Sequence, residues 1–175
     1  GLLKTKGVYI ITGGIGGIGL IFAKYLAEKY NARLVLTDII ELNSSHEKKI
    51  EEIKNLGGEV VYVQADVTNF NSVSQCVASA KESFGSINGI IHGAGLIKDS
   101  FFIKKEMAIF KQVLEPKIYG TINFDFASRN ESLDFFMLFS SVAAITPNQG
   151  QTDYTAANRF LDGYSEYRNK LYNLN

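Results

Sequence analysis

The chain has 175 residues, and its 18 Lys and Arg balance 18 Asp and Glu, so the formal net charge is zero. This length suits one ordinary domain, and without a long basic stripe the chain is poorly suited to capture nucleic acid. A single cysteine, Cys76, excludes an intrachain disulfide and a thiolate metal cluster, and no metal site is predicted. No apolar run reaches membrane-spanning length and no leader pattern opens the chain, so we expect a cytoplasmic protein without a membrane partner.

Apolar runs alternate with helix-patterned stretches along the whole chain. The strand-like runs are residues 8–11, 33–37, 59–63, 89–91 and 133–139, and the helical stretches are about 20–30, 45–56, 72–84, 104–129 and 155–172. This alternation predicts an α/β fold with a doubly wound, Rossmann-like parallel sheet covered by helices on both faces. Cys76 lies at helical spacing with Val73, Val77 and Ala80, which predicts a buried structural thiol.

A glycine-rich turn joins the first strand-like run to the first helical stretch. Gly14, Gly16 and Gly19 fit the pattern Gly-x-Gly-x-x-Gly. Gly13, Gly17 and Gly19 fit the wider pattern Gly-x-x-x-Gly-x-Gly. Between a strand and a helix, such glycines let backbone N–H groups approach a pyrophosphate, whose charge is favoured at the positive end of the helix.

Polar residues stand where the other strand-like runs end, the edge at which doubly wound sheets bind ligands. Asp38 lies nineteen residues beyond Gly19, near the spacing at which a carboxylate accepts hydrogen bonds from an adenosine ribose; an ordinary loop aspartate is the alternative. Asp66 accepts from an adenine amine or caps a turn, and the sequence favours neither. His92, between Ile91 and Gly93, is expected to pack near the cofactor rather than to move protons.

Further motifs complete a wider pattern. They are residues 11–19, Ala65-Asp66-Val67, His92-Gly93-Ala94-Gly95, Pro116-Lys117, residues 133–141 with Ser140-Ser141, and residues 151–158 followed by 160–162. Together these motifs resemble the short-chain dehydrogenase/reductase superfamily, and most closely the ketoreductase domains of modular polyketide synthases and related fatty-acid synthases. The resemblance runs nearly from end to end of the chain.

The resemblance implies four catalytic residues. Tyr154 is similar to the general acid that protonates a carbonyl oxygen as hydride arrives, and Ser141, thirteen residues earlier, would hydrogen-bond that oxygen. Ser140 fits this spacing less well. Ordinary members place a lysine where this chain has Asn158, whereas polyketide-type enzymes carry it on the preceding long helix, where Lys117 lies. Because a phenol has a pKa near 10, a nearby ammonium that stabilises its anion favours proton transfer at neutral pH.

The resemblance also implies a nicotinamide cofactor. The residues expected to bind it are Thr12, Gly13, Gly14, Ile15, Gly16, Gly17, Ile18, Gly19, Asp38, Ile39, Asp66, Val67, His92, Gly93, Ala94, Gly95, Lys117 and Tyr154. The family usually takes NADPH, but Ile39 occupies the position of its phosphate-binding arginine and Asp38 adds a negative charge, so NADH is plausible. Lys48, Lys49 or Arg33 is an alternative partner for the 2′-phosphate.

The function implied is reduction of a β-ketoacyl thioester on an acyl carrier protein, beside neighbouring synthase domains. The alternatives are a non-catalytic nucleotide-binding structural subdomain and a free-standing reductase of small ketones. The family continues past the tyrosine helix with further strands that this chain lacks, so we expect residues 1–175 to be the nucleotide-binding and catalytic subdomain of a larger chain. The motif Ile97-Lys98-Asp99 keeps only the final aspartate of the family's Leu-Asp-Asp, which favours a D-configured alcohol.

Overall fold

A computed structural model describes residues 1–172. The strands are β1 (Val8–Thr12), β2 (Arg33–Asp38), β3 (Glu59–Gln64), β4 (Gly89–His92) and β5 (Phe135–Leu138). The helices are α1 (Gly17–Tyr30), α2 (Ser44–Asn55), α3 (Phe70–Phe84), α4 (Met107–Ala127) and α5 (Thr152–Tyr172), with short 3₁₀ turns at Phe102–Lys104 and Val142–Ala144. The predicted alternation of strands and helices is confirmed.

The strands form one parallel sheet in the order β3-β2-β1-β4-β5. Thr12, the last residue of β1, pairs with Thr37 on one side and His92 on the other. The chain leaves β1 for β2 on one side and later returns to β4 on the other, so the strand order reverses beside β1. This reversal opens a crevice beyond the carboxyl ends of the strands, the usual ligand position in a doubly wound sheet. The predicted Rossmann-like fold is confirmed.

Alternate strand residues feed two apolar layers, one on each face of the sheet. One layer contains Tyr9, Ile11, Leu26, Leu34, Leu36 and Ile53. The other contains Ile10, Val35, Val73, Cys76, Ile90 and Phe124. Burial on both faces explains why these strands are apolar without alternation. Cys76 is fully buried and burial raises the pKa of its thiol to about 12, so the predicted structural role is confirmed.

Some boundaries differ from the sequence-based expectation. The helical stretch predicted from residue 104 begins at Met107, because Phe102–Lys104 forms a separate 3₁₀ turn and Lys105 is extended. The helix then runs through Pro116 without ending. The helix predicted from residue 155 begins at Thr152, which places Tyr154 in its first turn. Among residues 1–172, no helix combines the length and apolar character needed to cross a bilayer.

Candidate active site

A cleft of about 450 Å³ opens at the carboxyl edge of the sheet. Its walls come from the turn after β1 and from the segments that follow the other four strands, together with α4 and α5. The lining residues are Gly13, Gly16, Gly17, Ile18, Gly19, Asp38, Ile39, Ala65, Asp66, Val67, Gly93, Ala94, Gly95, Leu96, Ile97, Pro116, Lys117, Phe139, Ser140 and Tyr154. The sheet therefore brings most of the predicted site residues to one place.

The glycine turn fits a cofactor pyrophosphate. Gly16 is the N-cap of α1 and provides no side-chain cap, and the first turn contains no acidic residue. Gly13 has φ 63°, and a Cβ on Gly19 would lie 2.3 Å from the Gly13 carbonyl oxygen, so the turn excludes side chains at both positions. Backbone N–H groups at the positive end of α1 consequently face the cleft without a competing carboxylate, the arrangement that holds a phosphate.

The segment after β2 presents a carboxylate and an exposed apolar side chain. Asp38 Oδ1 accepts a hydrogen bond from Ile39 N at 2.8 Å, and the Ile39 side chain is exposed. The Tyr62 hydroxyl donates to Ile40 O from β3, and burial raises the pKa of that phenol to about 12. Both Asp38 and Ile39 line the cleft at the position expected for the adenosine ribose.

The structure corrects one alternative considered for the 2′-phosphate. Arg33 begins β2, whereas Asp38 ends it, so their backbones are about 16 Å apart at 3.3 Å per residue. The Arg33 Nε donates to Glu59 Oε1 at 3.1 Å on the neighbouring strand. Arg33 therefore lies at the wrong end of the sheet to reach a phosphate beside Asp38.

Asp66 has the turn role that the sequence left open. Its Oδ1 accepts from Thr68 N at 2.9 Å and from Thr68 Oγ1 at 2.8 Å. This bonding closes the turn after β3, as short acidic side chains commonly do. Asp66 also lines the cleft, so its contact with an adenine amine stays a prediction.

Thr12 and His92 lie behind the cleft wall in one hydrogen-bonded chain. Thr12 Oγ1 accepts from Gly93 N at 3.1 Å and Ala94 N at 3.0 Å, and it lies 2.7 Å from His92 Nδ1. His92 Nε2 lies 3.1 Å from Pro116 O. These partners fit a neutral imidazole whose Nδ1 accepts from Thr12 and whose Nε2–H donates to Pro116. Burial, with the nearby Lys117 charge, lowers the His92 pKa to about 4.

The hydrogen bonds of His92 connect Thr12, at the end of β1, to Pro116 in α4, the helix that carries Lys117. Thr12 and His92 are almost fully buried, at 0% and 1% exposure. They therefore shape the cleft through the residues they hold rather than by facing it. The expectation that His92 packs near the site instead of moving protons agrees with this position.

Lys117 and Tyr154 meet in the cleft. Lys117 is 5% exposed, and its Nζ donates to Phe139 O at 2.7 Å. The same Nζ lies 5.8 Å from the centroid of the Tyr154 ring. Burial lowers the pKa of Lys117 to about 8, because an apolar environment disfavours the charged form. An ammonium thus lies beside a phenol, the combination expected of a tyrosine acid.

Asn158 and the two serines surround this pair. Asn158 is fully buried; its Nδ2 donates to Tyr154 O at 2.7 Å, while its Oδ1 has no hydrogen-bond partner within residues 1–172. Ser140 lines the cleft, and its Oγ donates to Asn158 O at 3.2 Å. Ser141 lies one residue further, and its Oγ accepts from Ala143 N at 3.2 Å. Of the two serines, the structure places Ser140 on the cleft wall, whereas Ser141 caps a 3₁₀ turn.

The predicted residues and the residues that line the cleft do not coincide fully. Thr12, Gly14, Ile15 and His92 stand behind its wall. Residues on the wall that were absent from the predicted set are Ala65, Leu96, Ile97, Pro116, Phe139 and Ser140. Leu96 and Ile97 are exposed apolar residues that follow a strand end, and this position was the available signal for them.

Comparison with known proteins assigns the chain to a family. The KR domain family matches residues 7–173. Polyketide synthase PksM of Bacillus subtilis (strain 168) is 46% identical over 171 residues, which are 98% of this chain and 4% of that protein. A ketoreductase domain from the bacillaene assembly line has a TM-score of 0.93 and 44% identity, and levodione reductase has a TM-score of 0.87 and 26% identity.

The coverage of these proteins is unequal. The match takes in 96% of this chain and 40% of the bacillaene structure, and 97% of this chain and 67% of levodione reductase. The chain therefore spans only a small part of the synthase it resembles. Because the family match extends over nearly all of its residues, the chain belongs to the KR (ketoreductase) domain family.

Proposed function

We propose that this chain forms the nucleotide-binding and catalytic part of a ketoreductase that reduces a β-ketoacyl thioester to the β-hydroxyacyl thioester. The observation that carries the proposal is the placement of Lys117 beside Tyr154, 5.8 Å from Nζ to the ring centroid, in the cleft that the glycine turn opens. This pairing argues against a purely structural subdomain. When bound, a nicotinamide cofactor supplies the hydride.

The residues have distinct roles in this reaction. The carbonyl carbon receives hydride and the carbonyl oxygen receives the Tyr154 proton, so the products are the alcohol and the Tyr154 phenolate, which is reprotonated from solvent. The Lys117 ammonium stabilises the phenolate and would hold the nicotinamide ribose of a bound cofactor. Ser141 donates a hydrogen bond to the carbonyl oxygen, and Asn158 holds the Tyr154 backbone in α5.

Cofactor choice follows from the segment after β2. Family membership favours NADPH, whereas Asp38 and Ile39 replace a positive partner for the 2′-phosphate with a carboxylate and an apolar side chain. A carboxylate accepts from a ribose hydroxyl but repels a phosphate. With Arg33 at the opposite end of β2, we propose relaxed specificity in which NADH is used well alongside NADPH.

The setting proposed is a multidomain synthase in the cytoplasm. The similarity to PksM, which covers 4% of that protein, supports a chain of which residues 1–175 are one piece. An acyl carrier protein would deliver the substrate, and neighbouring synthase domains would be the other partners. Similarity to synthase domains at 44–46% identity, against 26% for levodione reductase, favours this setting over a free-standing reductase of small ketones.

The deciding experiment is reduction of a β-ketoacyl thioester by the full-length protein, with the rate measured as the consumption of NADPH or of NADH. We expect turnover, a loss of about a thousandfold in Tyr154→Phe, and unchanged cofactor binding in that variant. Near-normal turnover by Tyr154→Phe would reject Tyr154 as the acid. Chiral analysis of the same product tests the expected D-configured alcohol. That expectation rests on Asp99, whose Oδ2 accepts from Gln151 Nε2 at 3.0 Å, and Gln151 lies three residues before Tyr154.

A further inference from the structure

An ion pair is buried next to the catalytic tyrosine and does not line the cleft. Lys105 Nζ lies 2.6 Å from Asp153 Oδ1, and both side chains are 1% exposed. Lys105 belongs to the long segment between β4 and α4, and Asp153 directly precedes Tyr154 in the first turn of α5. The pair therefore connects parts of the chain that are 48 residues apart in sequence.

The Lys105 ammonium uses all three of its donors. Besides Asp153, it donates to Lys98 O at 3.0 Å and to Gly150 O at 3.2 Å. Gly150 O also accepts from Ser100 N at 3.1 Å. The charge consequently fastens the segment after β4 to the segment that leads into α5. Full donation is what a buried ammonium requires, since an unmet donor costs free energy in the protein interior.

Asp153 passes this constraint to Tyr154. The oxygen that receives the Lys105 ammonium, Oδ1, also accepts from Tyr154 N at 2.9 Å. The backbone of Tyr154 is thus held at its N–H by Asp153 and at its carbonyl by Asn158 Nδ2, which donates to it at 2.7 Å. A shift of Asp153 would move the position from which the phenol reaches toward Lys117.

Stability alone gives a weak account of this pair. Burying two charges costs several kcal/mol per ion, and replacing a buried pair with apolar groups of similar volume is often neutral or stabilising. What an apolar pair cannot reproduce is the set of directed bonds from one ammonium to three oxygens on three segments. The pair is therefore better explained by the geometry it fixes than by the free energy it contributes.

We propose that the Lys105–Asp153 pair is a positioning device for Tyr154, holding the first turn of α5 against the segment after β4 so that the phenol keeps its place beside Lys117. The inference rests on the proposed ketoreductase function. Lys105 and Asp153 are positioning residues, since neither lines the cleft. Their removal should lower the rate of the chemical step and leave cofactor binding unchanged.

The central variant is Lys105→Met/Asp153→Leu in the full-length protein, because an apolar pair of similar size keeps the site filled. We expect kcat to fall about a hundredfold while KM for NADPH changes by less than about twofold, and the melting temperature to stay equal or rise. Asp153→Asn, which keeps an oxygen for both Lys105 and Tyr154 N, should retain more of kcat than the double variant.

A matched control is available on the same helix. Arg168 Nε donates to Asp125 Oδ1 at 2.6 Å, so this second ion pair also fastens α5 to its neighbour, but about 21 Å along the helix from Tyr154. We expect Arg168→Met to lower the melting temperature and to keep kcat within about twofold. A double variant that is folded and retains wild-type kcat would overturn the positioning role.

Amide hydrogen exchange separates this inference from the proposed function. If the wild-type protein binds NADPH but reduces no β-ketoacyl thioester, the proposed function fails. The positioning role is then judged from exchange in the first turn of α5, which should be faster in the Lys105→Met/Asp153→Leu variant than in Arg168→Met. Equal exchange in the two variants would overturn it.

Discussion

The two sides of the cleft are built in different ways. The cofactor side consists of β1, β2 and β4, whose residues are buried almost throughout, with a tight glycine turn and a neutral hydrogen-bonded chain behind them. The other side consists of β5, where Met137 is 39% exposed, and of two long segments, 93–106 and 139–151. These segments carry exposed apolar side chains, among them Ile103 and Ile145.

This difference shows how each side gains its geometry. On the cofactor side, backbone N–H groups and a helix end present the binding groups, and the paired strands beneath them, with the Thr12 bonds to Gly93 N and Ala94 N, set their positions. On the other side, bonds between distant residues set the geometry, such as Gln151 Nε2 to Asp99 Oδ2 across 52 residues. Lys117 belongs to both sides, because it emerges from α4 beside Tyr154 and donates to Phe139 O at the end of β5.

Replacing Lys117 should have the largest effect, since the change removes one group from both sides at once. We expect Lys117→Met to lower kcat/KM about a thousandfold and to weaken NADPH binding, because in the proposed mechanism the ammonium both stabilises the phenolate and would hold the nicotinamide ribose. Steady-state kinetics and cofactor titration measure the two effects. Weakened binding with intact turnover would assign Lys117 to the cofactor side alone.

The pH profile sharpens the same comparison. Burial lowers the pKa of Lys117 to about 8, so the ammonium is lost as the pH rises through about 8. Reduction by the wild-type enzyme should therefore fall on that alkaline limb, and Lys117→Met should lack the limb.

The dependence of folding stability on acid pH tests the neutral His92 and its hydrogen bonds behind the cofactor side. The His92 pKa is lowered from 6.5 to about 4, so the unfolded chain binds more protons between these values. The contribution of neutral His92 to the free energy of unfolding is fully present above pH 6.5 and is lost as the pH falls through about 4. The loss is about 3 kcal/mol, at 1.36 kcal/mol per pKa unit. Urea unfolding at several pH values should show this decline, and His92→Gln should reduce it.

The second histidine supplies the control for that experiment. His46 lies at the start of α2, where its backbone N–H donates to Asn43 Oδ1 at 3.1 Å, and it is not among the residues that line the cleft. His46→Gln leaves the Thr12–His92–Pro116 hydrogen bonds in place, so it is the matched substitution against which His92→Gln is compared. A decline that is equally steep in His92→Gln would show that the buried carboxylates, not His92, govern the acid limb.

The cofactor side was predictable because its signals are local. The glycine turn, the strand ends at Asp38 and Asp66 and the uninterrupted apolar strands all lie within short stretches of sequence, and the structure places them as expected. The pairing of Lys117 with Tyr154 was accessible only through the resemblance, since nothing in the spacing of 37 residues dictates that these side chains meet.

The other side was less predictable for a physical reason. Charged residues such as Lys105 and Asp153 are normally solvent-exposed, so a sequence gives no sign that two of them will be buried together. The helix start at Thr152 lies three residues before the predicted one, and the Asp153 carboxylate, inside this added turn, accepts from Tyr154 N. The positions of Ser140 and Ser141 were also hard to predict. The 3₁₀ turn that follows them determines which hydroxyl faces the cleft.

The serine pair offers a test confined to the substrate side. The resemblance selects Ser141 as donor to the carbonyl oxygen, whereas Ser140 lines the cleft. We expect Ser141→Ala to lower kcat about a hundredfold with cofactor binding unchanged, and Ser140→Ala to have a smaller effect. The reverse order would assign the hydrogen bond to Ser140 and would mean that the capping bond from Ala143 N keeps Ser141 in place.

The smallest expected effect lies at Asp38, where the proposed arrangement places the adenosine ribose of the cofactor. A carboxylate there accepts from a ribose hydroxyl and repels a 2′-phosphate, so NADPH should be preferred over NADH by less than about a hundredfold, which is about 2.7 kcal/mol. Asp38→Asn keeps an acceptor oxygen and removes the charge, and it should shift kcat/KM toward NADPH by about tenfold with little change in kcat. Lys48→Ala and Lys49→Ala complete the experiment, because these residues of α2 are the remaining candidates for the phosphate. A wild-type preference for NADPH above a hundredfold that collapses in either lysine variant would place the 2′-phosphate against α2 and turn Asp38 away from the ribose.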